Sequence, residues 1–261
     1  MREFAIKQEQ FRLSDGEKTI VFPEFKERHR VFPAIFENRQ HKKILDSSAG
    51  IGYAASRIQD GYPSELVCNE ISPMCLSALK KLNLPIVSFD LDDNTTSFPF
   101  ADGSFDAVIS LVTIEHLINV DYFIEEIKRV LCQDGFLYIT TPNYAAPEYV
   151  LSPALYGRSY HNPLQESSRY EFYAHVRYFT YTTLLEFVSS FGFVLDTVYI
   201  ARPGGSRQYQ KLYEKSKIKA KIFQSLMSLR HQILHPRWAS EPILCFQKSN
   251  KQEHAARKVV L

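Results

Sequence analysis

Residues 43–58, KILDSSAGIGYAASRI, constrain this chain more than any other stretch. An apolar pair, Ile44 and Leu45, reads as a strand that ends in an acid, Asp46. Gly50 and Gly52 make the turn that follows, and Tyr53, Ala54 and Ala55 open a helix. Glycine is needed where a side chain would hold the backbone away from a ligand. A strand, a glycine turn and a helix N-terminus together form a cradle of nucleotide size. The spacing Gly50-x-Gly52-x-x-Ala55 also fits the dinucleotide fingerprint, so the turn alone leaves the ligand open.

The residues that follow repeat the strand–helix rhythm. A helix over 53–59 is stopped by Gly61 and Pro63, and a strand at 66–68 ends at Asn69 and Glu70. Ser72 and Pro73 read as N-cap and first residue of a helix over 74–82. A third strand, 86–89, ends at Asp90. The run FDAVISLV, 105–112, reads as a buried parallel strand. A helix over 122–131, a turn at Asp134-Gly135 and a fifth strand over 136–140 complete the series. Alternation from 43 to 141 predicts an α/β fold, a mostly parallel sheet with helices on both faces.

Beyond that core the pattern changes. Residues 144–181 hold ten aromatics together with His161 and His175, and read as a lid or binding segment. A helix over 182–191, stopped by Gly192, precedes an alternating strand at 193–200. Another strand is expected at 241–247. Between those strands lies a helical insertion, 203–238, with its helix at about 209–234. There Ile218, Ile222, Leu226, Leu229 and Ile233 form an apolar stripe beside Lys211, Lys215, Lys217, Lys219 and Lys221. Residues 22–38 read as an aromatic helix that Pro33 ends or kinks, within an N-terminal extension over 1–40. The main domain is expected over 41–248, and 249–261 reads as a frayed tail.

Charge and cysteine usage narrow the class. Residues 201–261 carry 13 Lys and Arg against 3 Asp and Glu, and the first 200 residues carry 18 against 26. The acidic part does not read as a nucleic-acid binder, whereas the basic part favours an anionic or membrane-surface partner. Cys68, Cys75, Cys132 and Cys245 are scattered without a CxxC, so neither a disulfide frame nor a metal site is expected. No apolar run approaches the ~18 residues of a membrane span, and MREFAIKQEQ lacks the apolar stretch of a secretory leader. The expected location is cytoplasmic, with room for peripheral membrane contact.

Asp46, Glu70 and Asp90 end three successive strands, on the edge where open α/β sheets bind ligands. Glu70 lies twenty residues after Gly50, where an acid can accept both hydroxyls of a ribose. The motifs LDSSAGIG, NEISPMCL, FDLDD, FPFADGSFDAVIS, IEHL, EEIKRVLCQDG and TPN occur in order. His175-Val176-Arg177-Tyr178-Phe179-Thr180 and Phe191-Gly192-Phe193 follow. On these residues the chain resembles the class I S-adenosylmethionine-dependent methyltransferases, in particular the quinone-biosynthesis-like small-molecule subgroup (methyltransferase type 11). An acid ending the first strand fits that family and not the NAD fingerprint.

The resemblance implies a Rossmann-like sheet whose last strand is antiparallel, and S-adenosylmethionine as cofactor. It implies that Asp46, Gly50 and Gly52 hold the methionine end and the turn, and that Glu70 binds the ribose. Ile71 would pack on the adenine, Asp90 would accept from its amino group with Leu91 beside the ring, and Ser110 and Leu111 would lie near the sulfonium. Ser48 stands where the family usually has glycine. His175 and His116 are the candidates for a catalytic base, each weighed against a purely structural role. The Pro-Pro-aromatic motif and Pro-Cys nucleophile of nucleic-acid methylation are absent. A small-molecule or glycan acceptor methylated at oxygen is therefore expected, and no nucleic-acid partner. The alternatives are a non-catalytic cofactor-binding scaffold and an NAD-dependent oxidoreductase. Contact of 209–234 with an anionic membrane competes with its packing as a structural cap.

Overall fold

The computed structural model describes residues 27–201, 207–249 and 256–261. Eight strands form one sheet: β1 Lys43–Asp46, β2 Glu65–Asn69, β3 Ile86–Val87, β4 Phe105–Leu111, β5 Leu131–Thr140, β6 Phe193–Ile200, β7 Ile243–Lys248 and β8 Arg257–Val260. Their order is β3-β2-β1-β4-β5-β7-β6-β8. The first five pair in parallel, β7 runs antiparallel to both β5 and β6, and β8 is parallel to β6. The chain reverses direction across the sheet at β1 and β4. That switch opens a crevice beyond their carboxyl ends.

Side-chain alternation along the strands feeds two cores, one on each face. Leu45, Val108, Leu137 and Ile139 face helices α4 Val120–Val130 and α7 Tyr181–Ser190, through Phe123, Ile127, Leu184 and Val188. Ile44, Ala107, Ile109 and Tyr138 face α2 Tyr53–Gly61 and α3 Pro73–Lys81, through Ala55, Ile58 and Leu79. Coverage of both faces explains why β4 reads as a continuous apolar run.

Several expectations need correction. No continuous helix covers 22–38; as one of the two expected outcomes, the helix ends ahead of Pro33. Pro33 separates α1 Glu27–Arg30 from a 3-10 turn at Ala34–Phe36, and residues 22–26 lie outside the described residues. Phe32, Ile35 and Phe36 are fully buried in the second core, so this aromatic segment is packing. β3 stops at Val87 because the Asn69 side chain takes over from the ladder, accepting from Phe89 N–H at 3.0 Å and donating to Phe89 O at 3.2 Å. Asp134-Gly135 is no separate turn. It lies inside β5, where the register against β4 shifts between Phe105 and Ala107.

The segment 144–181 is not an irregular lid, since it contains α5 Pro147–Tyr156 and α6 Glu166–Ala174. The insertion splits into α8 Arg207–Lys215 and α9 Lys217–Ile233. The supposed tail supplies β8. Lys258 Nζ there donates to His231 O at 2.9 Å and Leu234 O at 3.0 Å, closing the C-terminus of α9 as a basic residue should.

His41, buried behind Phe36 and hydrogen-bonded through Nε2 with Tyr138 OH at 2.8 Å, makes the fold acid-sensitive. Burial, then the Arg39 charge, lowers its pKa from 6.5 to about 4. Between those values the unfolded chain takes up a proton that the folded chain refuses. Its contribution is complete above pH 6.5 and disappears as pH falls through about 4, with an upper size of about 3 kcal/mol. Urea unfolding from pH 7 to pH 4 should therefore show the gap between wild type and His41→Asn narrowing as pH falls. Parallel curves for the two proteins would contradict this.

Candidate functional site

The site is built at the carboxyl ends of β1, β2 and β4. Ser47 anchors the exit of β1, where its N–H and its hydroxyl both donate to Ile109 O at 2.9 Å. Ala49 N–H donates to Asn69 O at 3.0 Å. Gly50 and Gly52 then adopt φ of 56° and 88°, the left-handed region that favours glycine. A Cβ on Gly52 would lie 2.8 Å from Leu82 and 2.9 Å from Leu79, so this glycine lets α2 approach α3 closely. A Cβ on Gly50 would meet nothing within 4 Å. The space beside Gly50 is therefore open, and its positive φ rather than crowding is what calls for glycine.

Asp46 is buried at the floor of this turn. Burial pushes its pKa up to about 7, the Glu70 charge adds to the rise, and the Ser48 N–H opposes it. Glu70 organises the loop around it. Its Oε2 accepts from Gly50 N–H, and its Oε1 accepts from Ile71 and Ser72 N–H, each at 2.8 Å. Glu70 thereby holds Ile71 and Ser72, the two residues that lead into α3; Ser72 sits at the N-cap position but makes no side-chain cap bond. Ser48 Oγ is hydrogen-bonded with Thr113 Oγ1 on the segment leaving β4, so the serine has a partner of its own.

The remaining sequence-selected residues lie around this centre. Ile71 is 40% exposed, whereas Leu91 is buried. Asp90 Oδ1 accepts from Asp92 N–H at 3.0 Å. Asp92 in turn accepts from Ile118 N–H at 2.9 Å and Asn119 N–H at 2.7 Å, pinning the β3 exit loop to the segment after β4. Ser110 is fully buried, with a hydroxyl that has no hydrogen-bond partner, and Leu111 is buried beside it in the strand.

The two histidines meet. His116 ends a 3-10 turn, Ile114–His116, and its Nδ1 donates to Ala174 O at 3.0 Å. His175 packs edge-on to it with ring centroids 4.7 Å apart, and its Nδ1 is 2.6 Å from Tyr144 OH. Burial, then His116 and His161, lowers the His175 pKa to about 3. Such an imidazole is neutral at pH 7 but a weak proton acceptor. Glu115 is buried in the 3-10 turn beyond β4; its Oε2 accepts from Thr141 Oγ1 at 2.9 Å and its carbonyl from Val176 and Arg177 N–H. Ligand atoms of Glu115, His116 and His175 lie within 4.8 Å of one another, a donor set able to hold a divalent cation. Glu115 and His116 are neighbours in the chain but His175 lies far beyond them, so spacing gave no sign of the set.

Sequence reasoning also passed over Asn69 and Asn143. Asn69 Nδ2 donates to Ser47 O at 3.0 Å, fastening the glycine turn to β2. Asn143 donates to Arg237 O and Ala239 O and accepts from Tyr181 N–H, joining the insertion to the aromatic segment. A buried asparagine at or just beyond a strand's end is the signal available, and only its partners give it meaning.

A mostly parallel sheet with this order and a glycine turn at its switch point defines a Rossmann-like fold. Residues 45–139 match the family model described as a methyltransferase domain. That segment, a little over a third of the chain, is similar to methyltransferase domains. Over 109 residues the chain is 32% identical to a malonyl-[acyl-carrier protein] O-methyltransferase of Geobacter sulfurreducens, covering 41% of each chain. It is 30% identical over 126 residues to the chloroplastic tocopherol O-methyltransferase of Arabidopsis thaliana, covering 45% of this chain and 36% of that one. The matches span about two fifths of these relatives' length. Among solved structures, a Thermotoga maritima S-adenosylmethionine-dependent methyltransferase superposes with a TM-score of 0.61 at 13% identity, covering 94% of this chain and all of that one. The [4+2]-cyclase SpnF superposes with a TM-score of 0.56 at 15% identity, covering 85% and 81%. At these identities the structural likeness establishes the fold alone.

Proposed function

We propose that this protein binds S-adenosylmethionine in the cradle at the β1–β4 switch point and methylates a small-molecule or glycan acceptor, at oxygen. The observation that carries this is the open backbone at Gly50 between two carboxylates, Asp46 and Glu70, within the matched domain. The cofactor supplies a methyl carbon already activated by a sulfonium. Asp46 would take the ammonium of the methionine end, and Glu70 the ribose hydroxyls. A carboxylate has about four acceptor directions, and three loop N–H groups already use Glu70, so ribose binding shares it with the turn. Ile71 and Leu91 would flank the adenine and Asp90 would accept from its amino group. Ser110 and Leu111 would close the methyl end.

In-line displacement on an activated carbon chiefly needs alignment and exclusion of water. Alignment is supported by the contacts that run from the cradle, through Ser48 and Thr113, toward the turn bearing His116 and on to His175 and Tyr144. His116 and His175 would orient the acceptor or receive its proton. The names of the relatives include both O- and N-methyltransferases, so oxygen as the acceptor atom rests on the neutral aromatic surroundings of the cleft near Tyr144. Incubating the protein with methyl-labelled S-adenosylmethionine and a metabolite extract should place label in small molecules. Label that never leaves the cofactor would contradict the proposal.

The insertion supports contact with an anionic membrane. Ile218, Leu226 and Ile233 are 72%, 62% and 69% exposed, so the stripe is not packed as a cap on the described domain. Lys215, Lys217, Lys219 and Lys221 flank the start of α9 and are exposed. No described helix is long and apolar enough to cross a membrane, so any contact here is peripheral. Each lysine near an anionic surface contributes about 1 kcal/mol at low salt. Co-sedimentation with anionic liposomes is expected at low salt and should weaken at high salt and in Ile222→Glu/Leu226→Glu. Absence of low-salt binding would sink the membrane reading.

A further inference from the structure

A cleft of about 550 Å³ opens between α5, α6 and the segment joining them. Tyr144, Tyr149, Tyr160, Phe172 and Tyr178 form its aromatic walls, with Val150, Pro153 and Ala154 on the α5 side. The described residues that line it carry no charge, and none is Asp, Glu, Asn, Gln, Arg or Lys. Those are the side chains that usually grip phosphates, carboxylates and the vicinal hydroxyls of sugars. A bulky ring fits such walls, whereas an ionised ligand would lose water without a charged partner, and only the Ser159 and tyrosine hydroxyls and His161 offer polar contacts.

His161 is the one imidazole in the wall and is only 7% exposed. Its Nε2 is 3.0 Å from Tyr144 OH, and that hydroxyl also lies 2.6 Å from His175 Nδ1. One phenol carries one proton. Assigning it to the shorter contact makes Tyr144 donate to His175 and accept from the Nε2–H of His161. His161 Nδ1 is then a bare acceptor, and it is buried without a hydrogen-bond partner. Buried polar atoms are nearly always paired, and an exception beside a cleft points to a ligand.

The geometry points to this cleft as the acceptor site, taking an uncharged, ring-bearing molecule whose hydroxyl donates to Nδ1 of His161. The inference rests on the methyltransferase reading and deepens it. His161 acts as a specificity-determining residue that selects an acceptor with one hydroxyl on an aromatic ring. Tyr144 holds the imidazole in the required tautomer and links it, through His175 and His116, to the segment leaving β4.

The test uses the full chain saturated with S-adenosylhomocysteine and two probes, 2-naphthol and 2-methoxynaphthalene. The second keeps the ring and oxygen but cannot donate. Calorimetry should show 2-naphthol binding about tenfold more tightly than its ether, the discrimination expected from one hydrogen bond to a buried acceptor. In ¹⁵N-histidine spectra the His161 Nδ1 resonance should move with 2-naphthol. His161→Gln keeps a polar group toward Tyr144 and removes Nδ1, so the ratio should fall to about one while S-adenosylhomocysteine binding stays unchanged. Equal binding of the two probes by wild type would overturn the inference. So would a preference that survives His161→Gln, or tighter binding of methyl glucoside than of 2-naphthol. Loss of S-adenosylhomocysteine binding by wild type would overturn the methyltransferase reading instead, and the probe ratio is read separately from it.

Discussion

Asp46→Asn is expected to stabilise the ligand-free protein above pH 7 and, at the same time, to weaken cofactor binding. In the fold Asp46 ionises near pH 7, whereas an ordinary aspartate does so near 3.8. Between those values the folded chain holds a proton that the unfolded chain has lost. Stability therefore falls as pH rises through that window, and the full penalty applies above it. Asparagine has nothing to ionise and still accepts from the Ser48 N–H, so the penalty vanishes. The gain is on the order of 2–4 kcal/mol at pH 8, read as a higher urea midpoint. The ionised carboxylate is also what a ligand ammonium requires. Its loss should weaken S-adenosylmethionine binding about 10- to 100-fold, and should flatten the rise in affinity expected for wild type between pH 6 and pH 8. Unchanged stability at pH 8 would show that Asp46 bears no desolvation penalty.

Glu70→Ala should damage both binding and the loop that makes binding possible. The substitution leaves the N–H groups of Gly50, Ile71 and Ser72 without their acceptor. Water can reach part of this surface, which limits the loss of stability to about 1–3 kcal/mol. The ribose would lose its charged acceptor and the glycine turn its brace together, so affinity should fall at least about 100-fold. Glu70→Gln keeps one acceptor oxygen and turns an NH2 toward a backbone donor, so it should fall between wild type and alanine. Alanine and glutamine variants with equal, near-native affinity would move the ribose site elsewhere. A selective loss of affinity with no change in stability would show that the loop does not depend on this carboxylate.

The strand–helix core was legible because its pattern is local. Residues 105–112 read as a buried strand since helices cover both faces, and Asp46 closes β1 while Glu70 directly follows β2; Asp90 lies three residues beyond the end of β3. The parts misread depend on distant partners. The α5 helix carries Pro147 at its first position and Pro153 inside, and it buries no residue, so it shows no amphipathic period. β8 has a sequence, RKVV, that reads as a tail until β6 supplies its ladder. The stripe on α9 has the spacing that ordinarily means burial, yet it faces outward. In the site, the acid twenty residues after Gly50 could be found by counting. Its role as brace of the turn could not, because that follows from where Gly50 meets it in space. The pairing of His116 with His175, and the unpartnered nitrogen of His161, likewise exist only after the aromatic segment docks on the segment leaving β4.

Calorimetric titration of the ligand-free protein with S-adenosylhomocysteine and, separately, with NAD tests the central claim most directly. The account predicts one site per chain for S-adenosylhomocysteine, weakened in both Asp46→Asn and Glu70→Ala, and no saturable heat with NAD. Saturable NAD binding, or S-adenosylhomocysteine affinity indifferent to both substitutions, would contradict it.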